Sequence, residues 1–130
     1  MHWIWVVESV ALAIHEAQLA EHGGMPGLRD EGLFLSALAR PQNAAAYGDR
    51  PDVSDLAAAY AFGLARNHPF IDGNKRTAYA LIRAILYTYG CDILAHTEEK
   101  YQITMAASEG KIHFDEIKTW IEEHLVKINP

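Results

Sequence analysis

Cysteine is nearly missing from this sequence: Cys91 is the single one in 130 residues. No internal disulfide can form, so stability must come from a packed core, and a reducing compartment such as the cytoplasm is the natural setting. Basic residues are also few. Eleven Lys and Arg stand against 17 Asp and Glu, for a formal net charge of −6. That balance excludes the whole-chain basic footprint of a nucleic-acid-binding domain, so no direct nucleic-acid contact is expected. No Lys or Arg precedes Arg29, Glu8 interrupts the apolar stretch from Trp3 to Ile14, and Glu16 follows it. A secretory leader needs a positive start and an unbroken apolar run, and a spanning helix needs about 20 apolar residues. Neither pattern is present, so a soluble chain with no membrane partner is expected. No Gly-rich loop ends in Gly-Lys-Ser/Thr, which excludes P-loop chemistry. His15-Glu16 opens a zinc-protease pattern, but Leu19 stands where the second histidine belongs, and His96, His113 and His124 have no partner at metal spacing.

What is present is hydrophobic residues, half of the chain, recurring at helical spacing. The length suits one domain, residues 1–130, able to bury a core without staples. A first helix carries Val6, Val10, Ala13, Ala17 and Leu19 and ends at Gly23-Gly24. Asp30 caps a second, which Pro41 kinks or ends. Gly48 to Pro51 reads as a loop, after which Asp52 or Ser54 caps a third. A fourth starts near Asn74, stops at Gly90 and is apolar enough after Thr77 to be a central, buried helix. Cys91 to Leu94 reads as a connector, with Cys91 a small buried residue. Thr97 caps a fifth helix reaching about Ser108, and a sixth runs from about Phe114 to Val126. Trp3, Trp5 and Trp120 read as packing residues near the termini. No sustained alternation suggests strands, so the fold class expected is all-α, about six helices.

The stretch from His68 to Ala78 is out of character with the rest. His-Pro-Phe-Ile-Asp-Gly-Asn-Lys-Arg-Thr-Ala places an imidazole, a carboxylate, a Gly-Asn turn and two cations between two helices. Backbone N–H groups of Gly73, Asn74 and Lys75 would open a helix with unsatisfied donors, which together with the helix dipole makes an anion nest. Lys75 adds charge, and Arg76 can clamp a phosphate bidentately. Asp72 can serve a divalent cation that shares ligands with phosphates, or act as an ordinary N-cap. His68 can take a proton from an attacking hydroxyl. These are the parts of a phosphoryl- or nucleotidyl-transfer site. Phe70 reads as a core anchor, Arg66 as one half of a surface salt bridge rather than a residue that helps hold substrate, and His22 as a polar residue at a helix end.

The spacing of His68, Phe70, Asp72, Gly73, Asn74 and Arg76 resembles the motif of the Fic/Doc (Fido) family. Six fixed positions at ordinary residue usage recur by chance about once in 10⁷–10⁸ positions. The segments His22–Asp30, Ala37–Gln42 and Ala106–Ser108 resemble the death-on-curing (Doc) toxin subfamily, so the likeness spans nearly the whole chain. AMP-transferring members carry Gly after the Asn and a second Arg three residues beyond the first. Here Lys75 and Tyr79 stand at those places, as in the Doc branch, whereas Gly73 points back towards the AMP-transferring one. The resemblance implies a compact Fido-fold helical bundle and a toxin that is an ATP-dependent protein kinase. Such a toxin passes the γ-phosphoryl group to a Ser/Thr hydroxyl of a translation factor like elongation factor Tu. It implies His68 as base, Asp72 on Mg²⁺, Gly73, Asn74 and Lys75 around phosphates, and Arg76 as their clamp. The inhibitory pattern of many Fic proteins would need Ser or Thr at 105, where Met stands before Glu109-Gly110. A Phd-like antitoxin acting in trans is therefore implied. The alternatives are a Fic-type AMP transferase and a catalytically silent module that binds antitoxin or nucleotide; the intact His68, Asp72, Asn74 and Arg76 weigh against the latter.

Overall fold

The structure, a computed structural model, describes residues 4–47 and 52–128. Trp3 and the stretch from Gly48 to Pro51 that reads as a loop lie outside the described residues. In chain order come α1 (Glu8–His22), α2 (Glu31–Tyr47), α3 (Val53–Asn67), α4 (Asn74–Thr88), β1 (Cys91–Ile93), α5 (Thr97–Ser108), α6 (Phe114–His124) and β2 (Leu125–Lys127). The expected all-α fold of six helices is what the described residues show. None of these helices is long and apolar enough to cross a membrane.

The hub is α3, which packs against α2, α4, α5 and α6. Its run Leu56-Ala-Ala-Ala-Tyr-Ala61 is buried on every side, as are Gly63, Leu64 and Ala65. Small side chains explain this, because they let neighbouring helix axes come close. The closest approach is at Gly63, where an added Cβ would lie 3.1 Å from Ala37 Cα and 3.2 Å from the Ala37 carbonyl oxygen. The start of α3 is locked by a reciprocal capping box: Asp52 accepts from Asp55 N–H and Asp55 accepts from Asp52 N–H. At the start of α2, Asp30 accepts from Leu33 N–H at 2.9 Å, as expected of an N-cap.

The structure departs from the sequence expectations in several places, among them Val6, which precedes α1, and Val126, which lies in β2 rather than at the end of α6. Helix α2 runs on through Pro41 to Tyr47, with Pro41 buried. The burial expected of α4 holds for one face, Thr77, Ala78, Leu81, Ile82, Ile85 and Leu86, while Arg83, Ala84, Tyr87 and Thr88 face outward. Position 96, not Thr97, is the N-cap of α5, and no side chain caps it. Finally, the connector after α4 is half of a two-stranded antiparallel sheet, with Asp92 opposite Val126. That sheet ties the chain after α4 to the end of α6, with Cys91 half-buried beside it. Trp5 and Trp120 are partly buried against the core.

Candidate active site

The loop between α3 and α4 carries the motif, and neighbouring segments hold it from both sides. His68 ends α3 in the left-handed region, φ 47 and ψ 55, the one such non-glycine residue among those described. That conformation is uncommon for an L residue and needs support. Arg29 supplies it: its Nε donates to the His68 carbonyl at 2.7 Å and its Nη2 to the Asn67 carbonyl at 2.8 Å. These are carbonyls a helix end leaves without partners. Backbone bonds from Arg29 and Asp30 to the Pro69 carbonyl, and from Ile71 to that of Gly27, press the 22–30 segment onto the loop.

Phe70 is the anchor, 1% exposed. Its ring lies flat on His15, centroids 3.7 Å apart and planes 6° apart, with Phe34 tilted against it. The other work of His15 is a hydrogen bond from Nε2–H to the Asp72 carbonyl at 2.8 Å. Asn74 grips the same phenylalanine by its backbone. Its Oδ1 accepts from Phe70 N–H, and its Nδ2 donates to the Phe70 carbonyl, both at 2.9 Å. The Asn74 side chain is therefore committed to the loop, and what it can still offer a phosphate is its backbone N–H.

Gly73 is the N-cap of α4, at φ 78, and no side chain caps this helix. Asp72 is not the cap. Its carboxylate accepts from its neighbour Gly73 N–H at 2.8 Å and from Met25 N–H at 3.2 Å. The Gly73 N–H thus serves Asp72, and the Asn74 and Lys75 N–H groups remain at the head of α4. No acidic residue occupies that first turn, so the Asp72 carboxylate at the Gly73 cap is the nearest negative charge to the positive end of the helix dipole, which Lys75 and Arg76 flank.

These groups meet at one cavity of about 890 Å³, lined by His68, Asp72, Lys75 and Arg76, by Tyr79 and Arg83 further along α4, and by Lys100 of α5. Lys100 Nζ sits 5.5 Å from the centre of the Tyr79 ring. The Tyr79 hydroxyl is buried without a partner among the described residues, and burial pushes its pKa up to about 12 despite the opposing charge of Arg83. It therefore keeps its proton at neutral pH and can serve as a hydrogen-bond donor. The expected groups converge, and a basic wall faces the cavity in a chain of net charge −6. Arg66 is exposed as expected, but it makes no ion pair among the described residues and does not line the cavity. His22 is the last residue of α1 and reaches the cavity.

Three supports of the site escape sequence reasoning. His15 looks only like a broken zinc motif, Arg29 like one more charge in a turn, and Ser108 like the tail of a helix. Yet Ser108 Oγ lies 3.0 Å from His68 Nε2. Only the resemblance of the 22–30 and 106–108 segments to the Doc branch singled those stretches out.

No three His, Cys, Asp or Glu side chains gather to hold a metal among the described residues. A magnesium ion does not need them, since it is commonly held by one or two carboxylates plus the phosphates of its substrate. Asp72 fits that role, being exposed at the cavity with one N–H on each carboxylate oxygen and lone pairs to spare.

Comparison with known proteins agrees with this architecture. The Fic/DOC family description matches residues 5–86, α1 through most of α4. The chain belongs to the Fic/Doc family. It is 33% identical over 101 residues to the protein kinase doc of Escherichia phage P1, covering 78% of this chain and 79% of that protein. It is 47% identical over 75 residues to toxin Doc of Mycolicibacterium smegmatis, covering 56% of this chain and 57% of that one. Both relatives place it in the Doc branch, and the Doc-like matches to Lys75 and Tyr79 lie on the wall of the cavity.

Proposed function

We propose that this Doc-family chain is a toxin and an ATP-dependent protein kinase. The observation that carries the proposal is the convergence of His68, Asp72, Lys75 and Arg76 on one cavity at the head of α4. The name of the phage relative, a protein kinase, supports it. His68 accepts the proton of a Ser/Thr hydroxyl on the target protein. The hydroxyl oxygen forms a bond to the γ-phosphorus as the bond to the departing ADP oxygen breaks. Lys75, Arg76 and the Asn74 and Lys75 N–H groups hold the phosphate oxygens and offset charge as it moves. Asp72 would hold Mg²⁺, whose contribution is to neutralise phosphate charge. A translation factor such as elongation factor Tu is the target the resemblance suggests. A Phd-like antitoxin covering the groove beside His68 is the matching restraint, since the chain has no inhibitory Ser/Thr at 105. The cytoplasm is where both would be met.

AMP transfer rests on Gly73. At φ 78 glycine is at ease, so the turn accounts for this residue whichever nucleotide group moves. The test is a paired labelling assay with Mg²⁺, elongation factor Tu and ATP labelled at the α or the γ phosphate. Label from γ alone is expected, falling about 10²–10⁴-fold in His68→Ala, the usual contribution of a general base. Label from α would establish AMP transfer instead. No label from either, in factor or lysate, would leave a binding module.

A further inference from the structure

Ser108 sits 40 residues from His68 in sequence and on a different helix, yet it meets the imidazole directly. Its Oγ lies 3.0 Å from His68 Nε2, and the serine is 8% exposed. The contact is built into the fold. Helix α5 packs on α3, and its end is closed by backbone bonds from Glu109 to Met105, Gly110 to Ala107 and Lys111 to Ala106. Gly110, at φ 76, lets Arg66 of α3 lie across the turn; a Cβ there would stand 2.5 Å from Arg66 Nη1. These constraints hold Ser108 in place rather than leaving it to a flexible terminus.

A neutral imidazole carries its proton on one nitrogen and its lone pair on the other, and the hydrogen bond made by one nitrogen decides the role of the second. Nε2 of His68 is engaged by Ser108, whereas Nδ1 has no partner among the described residues. His68 also lines the cavity. We propose that Ser108 is a positioning residue. Its hydroxyl holds Nε2, and for His68 to act as a base through its free Nδ1 that hydroxyl must accept the Nε2–H, which leaves the Nδ1 lone pair to take the proton of the target hydroxyl. The serine touches neither substrate nor nucleotide in this arrangement, and it holds a ring whose backbone sits in a conformation such residues rarely adopt. The choice of the Nε2–H tautomer rests on the kinase function above; the hold of Ser108 on the ring does not.

The test is ¹⁵N NMR of the histidine-labelled full chain, with the His68 ring signals assigned by their loss in His68→Ala. The wild type is expected to show the Nε2–H tautomer, Ser108→Ala a mixture, and Ser108→Thr, which keeps a hydroxyl, the wild-type signature. In the labelling assay, kcat is expected to fall about tenfold to a hundredfold in Ser108→Ala, the usual cost of losing a partner that orients a functional imidazole. KM for ATP should stay within about twofold, with recovery in Ser108→Thr. A wild-type Nδ1–H tautomer overturns the proposal even if no variant folds. So does a Ser108→Ala chain whose ring signals and kcat match the wild type. A wild type that transfers nothing, yet shows the Nε2–H tautomer lost in Ser108→Ala, overturns the kinase function and supports the hold of Ser108 on His68.

Discussion

At the scale of single residues, the motif divides its labour between chemistry and architecture. Asn74 belongs to the second class, because both ends of its amide are spent on the Phe70 backbone. Asn74→Ala removes two hydrogen bonds from a part-buried loop and is expected to cost about 1–3 kcal/mol, read as a lower urea midpoint at unchanged slope. Asn74→Asp should be no milder, since one carboxylate oxygen can still accept from Phe70 N–H while the other faces the Phe70 carbonyl. Both variants should also lose transfer, because they release the loop that aims His68. The motif residues were legible in the sequence for a simple reason: they act within nine positions of each other, so their spacing is their geometry. His15, Arg29 and Ser108 reach the loop from 57, 39 and 40 positions away. No local pattern records such a meeting: His15 reads as a broken zinc motif, and Arg29 and Ser108 stand out only as parts of segments that resemble the Doc branch.

At the scale of elements, the packing of α2 on α3 turns on one glycine. Pro41 has no N–H to give the Ala37 carbonyl, and that carbonyl faces Gly63 across the helix interface. Gly63→Ala would gain about 1 kcal/mol of helix propensity. Contacts of 3.1–3.2 Å to Ala37 backbone and side chain would nevertheless force the helices apart. Overpacking typically costs about 1–3 kcal/mol, so a net loss in melting temperature is expected, and an unchanged or raised value would mean the interface yields freely. Helices with a strong apolar period were readable to within a few residues. Helix α2 was not, because Pro41 reads as a stop when its surroundings are unknown; burial against α3 carries the helix past it. The paired strands escaped because three residues each are too few to show alternation, and Cys91 to Ile93 find their partners only at Leu125 to Lys127.

At the scale of the whole molecule, the end of the chain is tied back to the site-bearing helix through charge. Arg83 of α4 grips Asp92 of β1 with two bonds, Nε to Oδ1 at 3.0 Å and Nη2 to Oδ2 at 2.9 Å. The hydrogen bond from Arg83 holds the Asp92 carboxyl below its ordinary value. A depressed carboxylate adds stability above its unfolded pKa, near 4, and loses it as pH falls through the folded value. Both partners are partly exposed, so the pair contributes about 1 kcal/mol or less. Asp92→Asn should therefore lower the urea midpoint at pH 7, and the gap from wild type should close on acidification from about pH 4 downward. A gap that persists in acid would assign the loss to packing. The same long-range wiring has a consequence in time. The whole motif, from His68 to Ala78, is complete when the first three-fifths of the chain exists, but the serine that meets the imidazole arrives at position 108. On the role proposed for Ser108, a growing chain therefore holds the full motif before it holds the residue that orients its histidine, and a partner docking that early would meet an enzyme not yet able to act.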